Sequence, residues 1–197
     1  MPPPRKEIKV VLGSGSPRRK ELLKAIFPEF EIRVSNVDEH YPAKLQGADI
    51  ATFLSKVKSD SFTNLEADTL LITADTIVWL EGECIGKSEN EKEAIAMLQK
   101  LSGKMHEVFT GVTIKLNEHQ HTFSVATKVY FKTLTMEEIK RYVKEFQPMD
   151  KAGAYGIQDW IGMVGVYLIE GDFYNVVGLP VSALQMEIEK FLAKTDF

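Results

Sequence analysis

The chain has 197 residues and a net charge of −4, and with 44% hydrophobic and 26% charged residues its composition is that of an ordinary globular protein. The acidic balance excludes a nonspecific nucleic-acid binder, which would be strongly basic, but it still permits a local basic pocket for a small anion. Because Cys84 is the only cysteine and no apolar run has the length of a membrane span or a signal-peptide core, we expect a cytoplasmic protein with one domain over residues 1–197, of which residues 1–6 form a loose head.

A strand and a helix are predicted first, between about residues 8 and 27. The apolar run that ends at Leu12 is typical of a strand. Ser16 then offers a hydroxyl that can cap a helix, and Pro17 suits the first helical position because the N–H that it lacks has no partner there.

The first turn of this helix carries three adjacent cations, Arg18, Arg19 and Lys20. The helix dipole makes that end positive, so acids are favoured there and cations are repelled. The three cations therefore indicate either a solvated basic turn or a phosphate site, in which the bound anion would offset the repulsion. A dinucleotide-binding motif fits poorly, because Gly13 and Gly15 match its first two glycines but Arg18 takes the third position. No G-K-[ST] of a phosphate-binding P-loop follows.

The middle of the chain places carboxylates beside predicted strands. "FEIRVSNVDE" predicts a second strand that ends at Glu39, and Asp49 is predicted to cap a helix that carries Lys58. "TLLITADTIVWL" is typical of a buried strand with Asp75 near its centre. Because an unpaired buried carboxylate is strongly penalised, Asp75 needs a metal, a basic partner or a proton to move, unless it forms a structural salt bridge or reaches solvent at a strand end.

The second half mixes hairpins and helices. "VFTGVTIKL" and "TFSVATKVYFK" predict two half-exposed antiparallel strands. Capping patterns at Asn90 and Thr135 predict helices on either side of this hairpin, and a last amphipathic helix covers residues 180–194. The alternation favours a mixed α/β sheet with flanking helices, in which the hairpins can form a second lobe.

Other polar residues have weaker signals. Lys87 follows a glycine and precedes a helix cap, and Gln158 lies in the glycine-rich "AGAYGIQ". The four histidines show no metal-binding spacing, and Cys84 without a catalytic partner is expected to be a small core residue. The remaining carboxylates, cations and small-residue loops suit a hard cation bound largely through substrate phosphates.

Six stretches together resemble the Maf family of nucleoside triphosphate pyrophosphatases. They are "SGSPRRKELL", "ADTIV", "GECIGK", "KLSG", "DKAGAYGIQ" and "EGDFYNVVGLP", in the family's order and spacing between Ser14 and Pro180. The resemblance implies a Maf/Ham1 (ITPase-like) α/β fold with a mixed twisted sheet, flanking helices and an active site in a cleft between two lobes. It also implies hydrolysis of a nucleoside triphosphate between the α and β phosphates with a divalent metal cation, Mg or Mn, and a homodimer without nucleic-acid or membrane partners.

Carried over by position, the resemblance implies that Arg18 is a catalytic arginine that binds phosphate. It implies further catalytic roles for Glu39, Lys58, Asp75 and Lys87, with Asp75 as the general base. Asp75 and Glu39 are the two metal-ligand candidates.

Substrate binding and specificity are expected at five more positions: Ser14, Ser16, Arg19, Thr76 and Gln158. "ADT" and "GIQ" resemble the dTTP/UTP branch, so we expect hydrolysis of dTTP and UTP, with modified pyrimidine nucleotides as further candidates in a house-cleaning role. Thr76 follows Asp75 along a strand and can face the same cleft only if the strand bends or ends there. The chain departs from the family pattern at Gly13, Ser88 and Asp159, and the last two positions bear on loop stiffness near the base and so on fine substrate preference. The alternatives are a modified-purine (7-methyl-GTP-like) pyrophosphatase and a non-catalytic nucleotide-binding regulator of cell division.

Overall fold

The computed structural model describes residues 8–195, so the loose head predicted for residues 1–6 lies outside the described part of the chain. The strands are β1 (Lys9–Leu12), β2 (Glu31–Ile32), β3 (Thr69–Leu80), β4 (Glu83–Ile85), β5 (Met105–Leu116), β6 (His119–Phe131) and β7 (Val166–Glu170). The helices are α1 (Pro17–Leu23), α2 (Ala48–Asp60), α3 (Glu91–Leu101), α4 (Met136–Phe146), α5 (Trp160–Gly165), α6 (Phe173–Val177) and α7 (Val181–Lys194), with 3₁₀ turns at Pro148–Asp150 and Ala152–Ala154. In this part of the chain no helix is long and apolar enough to cross a membrane.

The strands form one mixed sheet in the order β2-β1-β3-β5-β6-β7, and β4 adds to β3. β1 is parallel to β2 and to β3, and the other pairs are antiparallel. The prediction of a mixed α/β sheet with flanking helices is therefore confirmed.

The two faces of β3 have different neighbours, because side chains alternate along a strand. Asp75 and Ile77 face α2, which packs across β3, β5 and β6. On the opposite face, Ala74 belongs to a core formed with α1 and α7, whereas Val78 belongs to a core formed with α3, α4 and α5. Thr76 lies on that opposite face between the two cores. The cores are the two lobes, and β3 runs through both.

Helix α2 approaches the sheet closely at Gly111 of β5. Gly111 is the Cα partner of Asp75, and a Cβ atom at this glycine would lie 2.2 Å from the carbonyl oxygen of Ala51 on α2. The missing side chain therefore allows the helix backbone to contact the strand directly. This contact determines how far Lys58, two turns further along α2, stands from the sheet.

Most of the predicted helix starts are confirmed. Ser16 accepts a hydrogen bond from the amide of Arg19 at 3.5 Å, with Pro17 in the first helical position, and Thr135 forms a reciprocal capping box. The cap predicted at Asp49 is wrong, because α2 begins after Gly47, which has a φ of 47° that favours glycine.

Two strand predictions need correction. The second strand is only Glu31–Ile32, because the parallel pairing ends where β1 ends and the chain then leaves the sheet before it reaches Glu39. β5 is mostly buried rather than half exposed, since α2 covers one face and the two lobe cores cover the other. The alternation predicted for β6 is confirmed, with buried Thr127, Val129 and Phe131.

Candidate active site

The central cleft has a volume of about 680 Å³, which is the size of a small-molecule site. It opens along one edge of β3. β1 pairs with this edge only up to Leu12 opposite Ile72, and β4 joins it only from Val78 opposite Ile85. Among the described residues, positions 73–77 of β3 therefore have no strand partner on the cleft side, although β5 pairs with them on the other side.

All ten predicted site residues line this one cleft. They are Ser14, Ser16, Arg18, Arg19, Glu39, Lys58, Asp75, Thr76, Lys87 and Gln158. They come from the β1–α1 turn, the loop after β2, α2, β3, the segment after β4 and the glycine-rich loop before α5. The fold thus brings together residues that are up to 144 positions apart in the chain, from Ser14 to Gln158.

Asp75 and Lys58 form a buried ion pair at the base of the cleft. Asp75 is 7% exposed, and its carboxylate accepts a hydrogen bond from the Lys58 ammonium group. Lys58 also lies 2.8 Å from Glu39 Oε1, and Lys87 lies 3.8 Å from Glu39 Oε2. The four side chains form a row of alternating charges that reaches from the sheet to the cleft entrance.

Glu39 reaches this row from a loop and not from a strand end, as the correction above implies. Partial burial raises the pKa of the Glu39 carboxyl. The interaction with Lys58 and the positive charges of Lys58, Lys87 and Arg19 lower it by more, so the pKa lies below its ordinary value. Glu39 is therefore an anion at neutral pH.

The two arginines of the basic turn have different surroundings. The Arg18 guanidinium donates to Asp150 Oδ2 at 2.9 Å, across the cleft. Arg19 is held by neutral oxygens: its Nε donates to the carbonyl of Gly178 at 2.9 Å, and its NH2 donates to Thr76 Oγ1 at 3.0 Å. Burial lowers the pKa of Arg19, and within residues 8–195 no carboxylate lies within 4.0 Å of its guanidinium. Its charge is therefore available to a bound anion.

Thr76 does not face the same side of β3 as Asp75. The register between β3 and β5 continues without a bulge from Leu70 to Trp79, so the strand neither bends nor ends at this point. The Thr76 hydroxyl lies at the seam between the lobes, where it accepts from Arg19 and pairs with Thr110 Oγ1 at 2.9 Å. The expectation that a bulge turns Thr76 toward a base is wrong, and the structure makes Thr76 a support for Arg19.

Gln158 is exposed at the tip of the glycine-rich loop. Gln158 lines the cleft, and its amide makes no hydrogen bond to any other described residue, so its donor and its acceptor are both unpaired. At the opposite wall, Ser14 Oγ accepts from the amide of Ser16 at 3.2 Å and from Arg19 at 3.4 Å. The serine hydroxyls thus shape the turn that carries the arginines.

Sequence reasoning missed two residues at the cleft. Asp150 pairs with Arg18, and Tyr155 lines the wall together with Gln158. Cys84 packs on the core under α2, as expected of a small core residue, and it also lines the cleft. Asp150 and Tyr155 stand inside the quoted stretch "DKAGAYGIQ", which was the available signal. Burial raises the pKa of the Cys84 thiol, which keeps it protonated. His106 is buried in the core, and its Nε2 lies 2.7 Å from the Tyr155 hydroxyl.

The donor set for a metal is limited. Among the described residues no group of three or more His, Cys, Asp or Glu side chains is arranged to hold a metal ion. Asp75 and Glu39 lie on either side of the Lys58 ammonium group, so they supply two carboxylates but no closed cage. One or two carboxylates fit Mg²⁺ or Mn²⁺ only where substrate phosphates and water complete the coordination.

A family model and two curated relatives match most of this chain. The family model described as "Maf-like protein" matches residues 9–191. The dTTP/UTP pyrophosphatase of Bacteroides thetaiotaomicron is 49% identical over 183 residues, covering 92% of this chain and 95% of the relative. That of Cytophaga hutchinsonii is 49% identical over 181 residues, covering 92% and 83%. Among solved structures, the Staphylococcus aureus Ham1 protein has a TM-score of 0.41 and 12% identity, covering 62% of this chain and 71% of that one.

Proposed function

Because the chain belongs to the Maf family, we propose that it is a nucleoside triphosphate pyrophosphatase that hydrolyses dTTP and UTP to the monophosphate and pyrophosphate. The observation that carries the proposal is the convergence of all ten predicted residues on one cleft, around the buried Asp75–Lys58 pair. In this reaction water adds to the α-phosphorus. The bond between the α-phosphorus and the oxygen that bridges the α and β phosphates breaks, and pyrophosphate leaves with that oxygen.

The cations of the cleft bind the triphosphate. Arg19 is held in position by neutral oxygens, and no carboxylate of residues 8–195 lies within 4.0 Å of its guanidinium, so a phosphate is its natural counter-ion. Arg18 and Lys87 each have one partly exposed carboxylate partner, Asp150 and Glu39, which the substrate can share or displace. These charges stabilise the negative charge that develops on the leaving pyrophosphate.

Asp75 is the group that orients and deprotonates the attacking water. It is the most buried carboxylate of the cleft, and its position on a central strand limits its freedom to move. Lys58 donates to Asp75 and forms an ion pair with Glu39 at 2.8 Å, so it holds the two carboxylates in a fixed relation. A base that is positioned in this way contributes about 10²–10⁴ in rate.

We propose that the divalent cation, Mg or Mn, arrives with the triphosphate. Asp75 and Glu39 would supply its protein oxygens, and the phosphates and water would supply the remainder. When bound, such a cation neutralises phosphate charge and polarises the phosphoryl oxygens.

Gln158 is the candidate for base recognition. Its amide offers one donor and one acceptor group, which match the N3–H and the neighbouring carbonyl of uracil or thymine. Cytosine presents an acceptor at N3 and a donor amine, so its pairing with the same amide orientation leaves polar groups unsatisfied. Thr76 contributes indirectly, because it positions Arg19.

The test is a nucleotide panel assayed for released pyrophosphate with added inorganic pyrophosphatase and phosphate detection. We expect dTTP and UTP to exceed CTP and the purine nucleotides in kcat/KM. Asp75→Asn should retain the fold and lose about 10²–10⁴ in kcat, whereas Gln158→Glu should depress dTTP and UTP turnover selectively. Equal kcat/KM for CTP and UTP would contradict base recognition by Gln158, and a fully active Asp75→Asn would contradict the mechanism. The homodimer stays a prediction.

A further inference from the structure

The loop that carries Gln158 is held from beneath by a buried tyrosine. Tyr142 of α4 is fully buried in the core of the second lobe. Its hydroxyl accepts a hydrogen bond from the amide of Gly156 at 3.0 Å and donates one to Asp159 Oδ2 at 2.7 Å. One side chain therefore joins the residues on both sides of the Ile157–Gln158 tip.

The segment closes on itself as well. The amide of Asp159 donates to the carbonyl of Gly156 at 3.0 Å, and a Cβ atom at position 156 would lie 2.5 Å from Asp159 Oδ2. The Asp159 carboxylate thus packs directly against the Gly156 backbone, and a side chain at position 156 would displace this carboxylate. Ile157 is buried, so Gln158 is the residue that the turn projects outward.

We call the two hydrogen bonds of the Tyr142 hydroxyl, to Gly156 and to Asp159, the Tyr142–Asp159 bridge, and its donor and acceptor roles are fixed. Burial raises the pKa of the Tyr142 hydroxyl, as does its bond to Asp159, so Tyr142 keeps its proton and donates only to the carboxylate. The hydroxyl oxygen is then left to accept from Gly156. Both partners of Tyr142 are satisfied in a single arrangement of the loop.

We infer that the Tyr142–Asp159 bridge is a specificity device that fixes the place from which Gln158 reaches the base. The inference rests on the proposed function and deepens it. Neither residue contacts the substrate, so both are positioning residues. The bridge holds the chain on both sides of Gln158, so it sets the distance and direction at which the amide meets the base edge. A loop free to shift would let the amide adjust to either uracil or cytosine.

Kinetics and hydrogen exchange test the bridge together. In Tyr142→Phe, exchange at the Gly156 amide should become about tenfold faster, because its acceptor is lost. The preference for dTTP over CTP in kcat/KM should fall about tenfold through KM, while kcat stays within about threefold of wild type. Asp159→Ala should lose selectivity in the same way, and it provides a second variant if Tyr142→Phe does not fold.

Two variants serve as controls. Asp159→Asn retains an oxygen that accepts from Tyr142 and should keep the selectivity of the wild type. Thr135→Ala removes the N-cap of the same helix without contact with the bridge, so it destabilises α4 but should leave selectivity unchanged.

The outcomes separate the inference from the proposed function. Wild-type preference for dTTP over CTP that persists in Tyr142→Phe and Asp159→Ala overturns the inference alone, as does an equal loss in Thr135→Ala. Unchanged exchange at Gly156 in Tyr142→Phe also overturns it. A wild-type protein that hydrolyses no nucleoside triphosphate overturns the proposed function, and the inference about selectivity with it.

Discussion

Gly111→Ala tests whether the close contact between α2 and β5 sets the geometry of the active site. The new Cβ atom would lie 2.2 Å from the carbonyl oxygen of Ala51 and 2.5 Å from the amide nitrogen of Thr52. Both atoms belong to the backbone, so no rotamer change relieves the overlap. To restore ordinary contact distances, α2 must move away from the sheet by about 1 Å.

The displacement has two calculable effects. Overpacking of this kind lowers the free energy of unfolding by about 1–3 kcal/mol. It also carries the backbone of Lys58 away from Asp75, which is the Cα partner of Gly111 across the sheet. A misplacement of 1 Å at a catalytic group lowers turnover by about 10²-fold.

Urea unfolding and steady-state kinetics on dTTP measure the two effects. Gly86→Ala is the stability control, because its Cβ atom would meet nothing within 4 Å. Ala51→Gly should not rescue Gly111→Ala, since the contact is with the backbone of Ala51. A Gly111→Ala protein with unchanged stability and with kcat/KM within about threefold of wild type would refute the reasoning.

Three further predictions follow from single contacts. Arg18→Ala should lower kcat/KM for dTTP far more than Lys20→Ala, an exposed cation of the same helix turn, and equal effects would mean that the turn is merely solvated. Lys58→Met should lower the free energy of unfolding by about 3 kcal/mol or more, because it leaves the buried Asp75 carboxylate unpaired. A decrease of less than about 1 kcal/mol, measured by urea unfolding, would contradict this. Burial lowers the pKa of His106 from 6.5 to about 4, so the folded protein binds a proton at this residue less readily than the unfolded chain does. The free energy of unfolding should therefore decrease by about 3 kcal/mol as the pH falls from 6.5 to 4. His106→Gln should abolish this decrease, and a variant with the same pH dependence of urea unfolding as the wild type would contradict the prediction.

Sequence reasoning succeeded where the determinants are local. The cap at Ser16 depends on atoms three residues apart, and the bounds of β3 follow from a continuous apolar run, so both could be predicted. Asp75 was identifiable because a carboxylate inside such a run requires a partner. The resemblance then supplied roles that spacing alone left open.

Sequence reasoning failed where the position of a residue depends on contacts with distant parts of the chain. The strand predicted up to Glu39 has suitable residues, but β1 ends at Leu12 and provides no further partner. Thr76 was expected to reach the cleft only through a bend or the end of the strand. Pairing with β5 keeps β3 regular, yet Thr76 lines the cleft from the opposite face to Asp75 and accepts from Arg19. The bond between Arg18 and Asp150 joins residues 132 positions apart, and no local pattern indicates it.

The continuity of β3 has a mechanical consequence. Its first half belongs to the core packed by α1 and α7, and its second half belongs to the core packed by α3, α4 and α5, while β5 pairs with ten successive residues from Leu70 to Trp79. Two bodies joined by a hinge need a flexible connection, whereas these lobes share a stiff hydrogen-bonded ribbon. Nucleotide entry and product departure therefore depend on side chains and loops at the rim, such as Arg18 and the segment around Glu39, and not on one lobe swinging relative to the other.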